Sequence, residues 1–337
     1  MDKVDLAKLY KLVDEGYLTT QKHPLTELHI FNYSQKAQYS GYWDEYTLIA
    51  RGLITDSEGN IIARPFKKFF NLEEHKEEIT EPIISITEKM DGSLGILYFV
   101  GDKPYLATRG SFSSEQALKG TEILNKKYSH INFDKNTTYL FEIIYPQNRI
   151  VVDYNQIEDL ILLAMIDTKS GTDLELIDIG LPLVKSYQDI NDITVLKSLE
   201  EKNREGFVVR FASGLRLKVK FSEYVRLHRI LTGINAKDIW EYLKDDKNFD
   251  QLLEKVPDEF FQWVQSTVDT LKSKYKQIED KAHSEYKELA SRKETAEYSN
   301  SCTYPAIMFK IFDKRDYSEI IWKFVKPRAD KPFKADI

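Results

Sequence analysis

The segment TEKMDGSLGILYF, Thr87 to Phe99, places a lysine just before a tight-turn signal and an apolar run. Lys89 precedes Asp91 and Gly92, and the chain then continues as a predicted strand. Lysine is usually a solvated surface residue, and a simple hairpin turning at Asp-Gly would have the same pattern. A glycine turn also lets a ligand approach the backbone, so a binding site is the alternative.

The chain around this segment consists mostly of predicted short strands, between about residues 28 and 222. They are rich in β-branched and aromatic residues and are bounded by turn signals such as DSEGN and SGTD. One helix interrupts them, where Ser113 and Gln116 suggest a capping box. Because strands and helices do not alternate regularly, the pattern predicts an α+β fold.

The pattern changes after about residue 235. An apolar stripe in steps of three and four runs from Phe261 to Leu289 and predicts one long helix. A loop-like stretch, EYSNSCTYP, follows, and a final helix is predicted near YSEIIWKFV. We therefore predict two domains, an α+β domain over residues 1–235 and an all-helical domain over residues 236–337.

Composition excludes several classes of protein. The chain has 337 residues, a formal net charge of −6 and one cysteine, Cys302. No apolar run could span a membrane, and the first residues lack the pattern of a signal peptide. A single cysteine fits a reducing cytosol and excludes a cysteine-rich zinc site, so we expect a cytoplasmic protein. The charge argues against a protein coated in nucleic acid.

Charged residues in or beside other predicted strands favour a functional role for Lys89. Glu142 lies inside the apolar string YLFEII, where a buried carboxylate needs a partner or a metal. Glu205 directly precedes a glycine and the strand FVVRF. In LRLKVK, alternation places Lys218 and Lys220 on one face, roughly 7 Å apart, which suits a polyphosphate. Two acids, three lysines and a glycine turn suggest attack by a lysine on a nucleotide phosphate, with Mg²⁺.

The order KMDG, FEII, EGFVV and KVK resembles that of the covalent nucleotidyltransferases, the ligases and mRNA capping enzymes. More specifically, local strings are similar to the ATP-dependent RNA ligase 1 family, whose type member is a phage tRNA-repair ligase. These strings are ARG before the nucleophile, RPFKKFFNL, GSFSSEQAL, PQNRIVV, and EGFVV with LKVKFSEYV. The resemblance covers about residues 30–226 and implies a nucleotidyltransferase domain of antiparallel sheets with flanking helices.

The resemblance implies a catalytic role for five residues. Lys89 would attack the α-phosphate of ATP, expel pyrophosphate and carry AMP in a phosphoramidate bond. Glu142 and Glu205 would hold Mg²⁺, or Mn²⁺, whose charge disfavours the ammonium form of the lysine. Lys218 and Lys220 would contact the α-phosphate and offset charge in the transition state.

Further residues match family positions around the nucleotide. Arg51 and Lys68 would contact the ribose and the phosphate tail, and Tyr33 would lie in the nucleotide site. Thr87 and Glu88, directly before the nucleophile, would line the adenine end. The implied ATP-binding set is Tyr33, Arg51, Lys68, Thr87, Glu88, Lys89, Glu142, Lys218 and Lys220.

Arg109 departs from the family pattern, in which lysine often precedes the Gly-Ser of GSFSSEQAL. The positive charge is kept, but a planar guanidinium replaces a point-like ammonium. Arg109 is therefore a candidate phosphate or RNA contact. For Arg51 and Arg149 a plain surface arginine is the alternative, and for Tyr33 the alternative is packing in a core.

The family transfers AMP from the lysine to the 5′-phosphate of an RNA end, and a 3′-hydroxyl then displaces AMP to seal the strand. The implied partners are RNA with these two ends and an end-healing kinase and phosphatase. No interaction with a membrane is expected. The basic tail Lys323–Lys334 would lie along the RNA backbone, and residues 236–337 would select the RNA. A GTP-dependent capping guanylyltransferase and a non-catalytic RNA-binding module on the same fold are the alternatives.

Overall fold

The computed structural model describes residues 3–188, 190, 192–225, 228, 234–247, 252, 261–287 and 289–327, with residues 261 and 262 described by their backbone alone. The chain divides into two compact units, residues 1–230 and 231–337. No helix in these described ranges is long and apolar enough to cross a membrane. Of the basic tail Lys323–Lys334, the residues after Pro327 lie outside the described ranges.

The first unit combines strands with short helices. Its helices are α1 (Leu6–Asp14), α2 (Gln35–Ser40), α3 (Glu45–Ile49), α4 (Glu115–Lys127) and α5 (Ile193–Ser198), with 3₁₀ turns at Leu72–Glu74 and Pro146–Asn148. Its strands are β1 (Leu18–Lys22), β2 (His29–Tyr33), β3 (Arg51–Thr55), β4 (Ile61–Ala63), β5 (Phe70–Asn71), β6 (Ile83–Lys89), β7 (Ser93–Val100), β8 (Lys103–Ala107), β9 (Thr137–Ile144), β10 (Asp159–Asp167), β11 (Gly206–Phe211) and β12 (Arg216–Lys220).

These strands form three sheets of four strands each. The first sheet has the order β1-β2-β3-β4, the second β10-β9-β7-β8, and the third β5-β12-β11-β6. Neighbouring strands of the described chain run antiparallel, apart from the parallel pair β5 and β12. The predicted α+β class with antiparallel sheets is therefore confirmed.

The second sheet is covered on both faces, which explains the burial of all eight residues of β9. Leu140 packs into a core shared with Ile30 and Ile54 of the first sheet. Phe141 and Ile143 point to the opposite face and pack in a core with residues of α4. Because alternate residues of a strand share a face, Glu142 lies on the Leu140 side, among apolar neighbours.

The segment KMDG is the crossing between two sheets. Lys89 ends β6 in the third sheet, whereas Ser93 begins β7 in the second. β6 pairs with β11, and β7 pairs with β8 and β9, so the two strands are not partners. The hairpin interpretation of Asp91-Gly92 is therefore wrong, and Lys89 lies where the chain leaves one sheet for another.

Helix α4 begins one residue later than the capping-box prediction placed it. The hydroxyl of Ser114, and not that of Ser113, accepts the backbone N–H of Ala117 at 3.2 Å. Two adjacent serines offer the same chemistry, and the position of the first helical turn selects between them.

The second unit is helical over its described residues, with α6 (Ala236–Lys244), α7 (Phe261–Glu285), α8 (Arg292–Asn300), α9 (Pro305–Phe312) and α10 (Ser318–Phe324). The prediction of one helix through Leu289 is wrong at its end, because α7 stops at Glu285. The Glu285 carboxylate accepts the backbone N–H and the hydroxyl of Thr303, both at 2.8 Å. The first half of EYSNSCTYP is also helical, since it belongs to α8.

Candidate active site

Three strand ends meet at one edge of the third sheet. Gly206, the first residue of β11, pairs with Lys89 at the end of β6 on one side. On the other side it pairs with Lys220 at the end of β12. Antiparallel pairing thus brings the KMDG, EGFVV and KVK strings together, although they are far apart in sequence.

Glu205 lies between the two lysines at this edge. Its Oε1 atom is 2.6 Å from Lys89 Nζ and 3.1 Å from Lys220 Nζ, and its side chain is 3% exposed. Burial alone would raise the pKa of Glu205, but the charges of Lys89 and Lys220 outweigh it and hold that pKa below its usual value. An ionised, buried carboxylate therefore holds the predicted nucleophile in place.

The glycine after Glu205 is required by the neighbouring backbone. Gly206 has φ +146°, which side chains of L-residues rarely adopt. A Cβ atom there would lie 2.0 Å from the carbonyl oxygen of Val219 and 2.8 Å from the Cα of Lys220. The E-G pair therefore reflects the close approach of β12 to the start of β11.

Glu142 approaches the site from the second sheet. It is buried, and its Oε1 accepts the backbone N–H of Gly92 at 2.9 Å. Burial raises the pKa of Glu142 to about 8, although the Lys89 charge acts in the opposite direction. A nearby cation would stabilise the ionised form of this carboxyl, because it offsets the cost of a buried negative charge.

This pKa gives a prediction for stability. Glu142 stays protonated up to about pH 8 in the folded protein, whereas it ionises near 4.5 in the unfolded chain. Its contribution to folding is therefore fully present below about pH 4.5 and is lost as the pH rises to about 8. We expect Glu142→Gln, which is always neutral, to gain stability relative to the wild type across that window, in thermal melts with EDTA.

Two outcomes decide the Glu142 prediction. A difference in melting temperature that stays constant between about pH 5 and pH 9 would contradict the raised pKa. With Mg²⁺ at about pH 8, the wild type should gain more in melting temperature than Glu142→Gln, because metal binding requires the ionised carboxylate. Equal gains would remove Glu142 from the metal site.

Asp91 of the KMDG crossing is a buried structural centre that the sequence analysis missed. Its Oδ2 accepts the backbone N–H groups of Val151 and Val152, both at 2.8 Å. The hydroxyl of Tyr224 donates to its Oδ1 at 2.8 Å, and the Lys220 ammonium lies 5.4 Å from the Tyr224 ring centroid. Asp91 reads as an ordinary turn residue in the sequence, because these partners come from distant segments.

A second group of charges surrounds Tyr33. Arg109 Nη1 donates to the Tyr33 hydroxyl at 3.0 Å, and Lys68 Nζ lies 5.2 Å from the Tyr33 ring centroid. Burial lowers the pKa of Arg51, and the Arg109 charge lowers it further, while Tyr33 and Glu142 act in the opposite direction. Three neighbouring cations repel one another, so a polyanion such as a triphosphate would relieve the repulsion.

Arg51 provides an observation that points to a ligand. Its Nη1 atom is buried and has no hydrogen-bond partner in the described parts of the chain. A buried donor without a partner is costly, so a ligand that supplies the missing acceptor would be favoured here. Arg51 interacts with Tyr33 and lies near Arg109, so such a ligand would bind among the cations around Tyr33.

Aromatic rings that the sequence analysis missed connect these parts. The Phe69 ring lies 5.1 Å from the Arg51 guanidinium and 5.8 Å from Lys218 Nζ. Trp43 and Phe70 each lie 5.3 Å from Lys68 Nζ. Aromatic faces favour cations and hold them without neutralising their charge. The string RPFKKFF contained the signal, since it alternates cations with aromatic residues.

Thr87 and Glu88 have protein partners. The Glu88 carboxylate pairs with Arg204 at 2.7 Å, and its backbone N–H donates to the carbonyl of Lys185 at 2.8 Å. Thr87 forms an isolated β-bridge with Ser186. Alternation along β6 turns the Glu88 side chain to the face opposite Lys89. Contact with adenine stays a prediction for both residues.

The acidic residues of the site fit the Mg²⁺ ion that the resemblance implies. The described residues contain no set of three or more His, Cys, Asp or Glu placed to hold a metal by themselves. Mg²⁺ in nucleotide sites typically uses one or two carboxylates, its own waters and the phosphates. Glu142 and Glu205 supply such carboxylates, and the cations around Tyr33 suit the phosphates.

A sequence model of an RNA ligase family matches residues 49–225, which is more than half of the chain. The chain belongs to this RNA ligase family. The family resemblance in the sequence is thereby confirmed. The matched range of this RNA ligase family member contains all five predicted catalytic residues, whereas Tyr33 precedes it.

This RNA ligase family member spans 60% of the length of the first curated relative and 86% of a second. It is 30% identical over 235 residues to a putative RNA ligase of Thermovibrio ammonificans, covering 64% of this chain and 60% of that protein. It is 26% identical to the RNA ligase of Rhodothermus phage RM378, covering 90% of this chain and 86% of the phage protein. An archaeal ATP-dependent RNA ligase structure aligns with a TM-score of 0.44 at 15% identity, over 92% of this chain and 79% of that one.

Proposed function

We propose that this protein is an ATP-dependent RNA ligase that joins 5′-phosphate and 3′-hydroxyl RNA ends through AMP carried on Lys89. The observation that carries the proposal is the position of Lys89, 2.6 Å from the buried Glu205 at an edge that also holds Lys220. A fixed amine beside a buried acid and a cluster of cations suits attack on a nucleotide phosphate.

In the first step, the neutral amine of Lys89 attacks the α-phosphorus of ATP. A nitrogen–phosphorus bond forms, the bond from the α-phosphorus to the bridging oxygen breaks, and pyrophosphate leaves. Lys89 must first release a proton from its ammonium group to solvent, so its ion pair with Glu205 must loosen. Mg²⁺, held by Glu142 and Glu205, would supply positive charge at the α-phosphate and favour the neutral amine.

The remaining cations suit the rest of the nucleotide. Lys218 and Lys220 would contact the α-phosphate, where charge develops in the transition state. Arg51, with its unpartnered buried Nη1, and Lys68 would contact the ribose and the outer phosphates. Arg109 would act through Tyr33, to which it donates a hydrogen bond.

A 5′-phosphate oxygen of an RNA end then attacks the phosphorus of the AMP on Lys89. An oxygen–phosphorus bond forms, the nitrogen–phosphorus bond breaks and the Lys89 amine leaves. A 3′-hydroxyl attacks the 5′-phosphorus of this RNA adenylate, a phosphodiester bond forms and AMP leaves. Selection of the RNA by residues 236–337, an end-healing kinase and phosphatase as partners, and a cytoplasmic location stay predictions.

Mass spectrometry of the intact protein tests the proposal. Wild-type protein is incubated with Mg²⁺ and either ATP or GTP, and the adduct is mapped by peptide sequencing. We expect the mass of one AMP on residue 89 from ATP alone. An adduct from GTP alone would favour the capping guanylyltransferase, and no adduct from either nucleotide would favour the non-catalytic RNA-binding module.

A further inference from the structure

A cleft that the first step does not use opens beside the KMDG crossing. It has a volume of about 200 Å³. Its lining includes Asp91, Ile143, Arg149, Gln156 and Ile157, and none of the five predicted catalytic residues. We call it the 143–157 cleft.

The 143–157 cleft combines three kinds of group that bind nucleotides. Arg149, with a side chain 53% exposed, donates from Nη1 to Asp153 at 2.8 Å and offers a charge for a phosphate. Gln156 and Asn155 offer exposed amides for the edge of a base. Ile157 is 48% exposed and offers an apolar contact for a base face.

The size of the 143–157 cleft suits one base. A cavity of about 150 Å³ is large enough for benzene, so 200 Å³ has room for a nucleobase. Pockets for whole drug-sized ligands are larger, at about 300 Å³ or more. A single nucleoside unit is therefore a better occupant than a complete nucleoside triphosphate.

The wall of the 143–157 cleft is hydrogen-bonded to two segments, the one that carries Lys89 and the one that carries Glu205. Val151 and Val152 donate their backbone N–H groups to Asp91, two residues after Lys89. The Asp153 backbone N–H donates to Asn203 Oδ1 at 2.7 Å, and the Asn203 amide donates back to the Asp153 carbonyl at 2.9 Å. Asn203 lies two residues before Glu205, so an occupant of the cleft contacts a loop that touches both catalytic segments.

We propose that the 143–157 cleft binds one nucleotide of the RNA strand next to the join, with its phosphate on Arg149 and its base against Ile157. The inference rests on the proposed function, because it identifies the cleft as a subsite for the RNA substrate. It assigns to this loop a role in holding RNA close to the adenylated lysine.

Binding of a fluorescent 5′-phosphorylated RNA oligonucleotide tests the inference, with anisotropy measured at several salt concentrations. We expect Arg149→Ala to weaken binding by about tenfold and to lower the slope of log affinity against log salt by about one, as for a lost phosphate contact. Arg149→Lys should keep the salt slope. Ile157→Ala should weaken binding by about threefold or more without changing the slope, because a base contact releases no counterions.

Lys135→Ala is the matched control. The Lys135 side chain is also 53% exposed and is ion-paired with Asp102 at 2.5 Å. It contacts Phe99, near the end of β7 that lies away from Ser93. We expect this variant to bind RNA like the wild type, since it removes a surface charge of the same kind elsewhere.

Two results would overturn the inference. One is RNA affinity and salt slope in Arg149→Ala equal to those of Lys135→Ala, and the other is unchanged affinity in Ile157→Ala. Thermal melts identify a variant that fails to fold. If one cleft variant does not fold, the RNA affinity of the remaining cleft variants tests the inference. The adenylate on wild-type protein is measured separately. Its absence would count against the proposed function, whereas cleft-independent RNA binding by an adenylated protein would count only against this inference.

Discussion

Lys89→Ala will carry no detectable AMP after incubation with ATP and Mg²⁺, a loss of at least about a thousandfold in the rate of adduct formation. The substitution removes the only atom that forms the covalent bond in the proposed first step, so no residual pathway through that step remains. Transfer of label from ATP to the protein, read by mass spectrometry, measures the loss.

Two controls separate this result from a general defect. Lys220→Ala removes the other lysine that contacts Glu205 Oε1, and it should slow the reaction while the AMP still appears on residue 89. Lys89→Ala should also still seal RNA that already carries AMP on its 5′-phosphate, because that step needs no lysine nucleophile. AMP found on Lys220, or on any other residue of Lys89→Ala, would mean that the nucleophile is misassigned.

Gly206→Ala should destabilise the protein by about 3 kcal/mol or more, because strain at positive φ adds to overpacking against β12. A Cβ atom at this residue would lie 2.0 Å from the Val219 carbonyl oxygen. Relief of that contact would displace Glu205 or Lys220, so adenylate formation should fall together with stability. Urea unfolding and labelled ATP measure the two effects.

Gly214→Ala is the matched control for this substitution. Gly214 lies in the turn between β11 and β12 with φ +87°, and a Cβ atom there would meet nothing within 4 Å. It should therefore cost only about 1 kcal/mol, from backbone strain alone. Equal losses for the two alanine variants would mean that backbone conformation, and not contact with β12, determines the need for glycine at residue 206.

Much of the candidate site was predictable because its residues break local rules. A glutamate inside the apolar string FEII is conspicuous, because a charge in an apolar strand needs a partner. The structure buries this glutamate, Glu142, in β9. Lys218 and Lys220 were marked by the alternation of LRLKVK. Such signals need no knowledge of which strands are neighbours.

Other features depend on distant segments and left no local signal. The contacts of Asp91 with Val151, Val152 and Tyr224 join residues at least 60 positions apart. The end of α7 at Glu285 depends on Thr303, which lies 18 residues later, while the apolar period alone continues to Leu289. Local periodicity therefore predicted the wrong end for the helix. The local Asp-Gly pair likewise identified Asp91 only as a turn residue.

The sequence by itself determined which chemical groups the candidate site contains, because side-chain type and strand periodicity are local properties. These groups are a lysine before Asp-Gly, an acid within an apolar strand and two alternating lysines. The tertiary structure alone decided how these groups meet. Lys89 and Lys220 share one oxygen of Glu205, and Asp91 joins two sheets where a hairpin had been the simplest interpretation. Strand register and the burial of charge depend on pairing between remote segments, and such pairing is fixed only when the whole core packs.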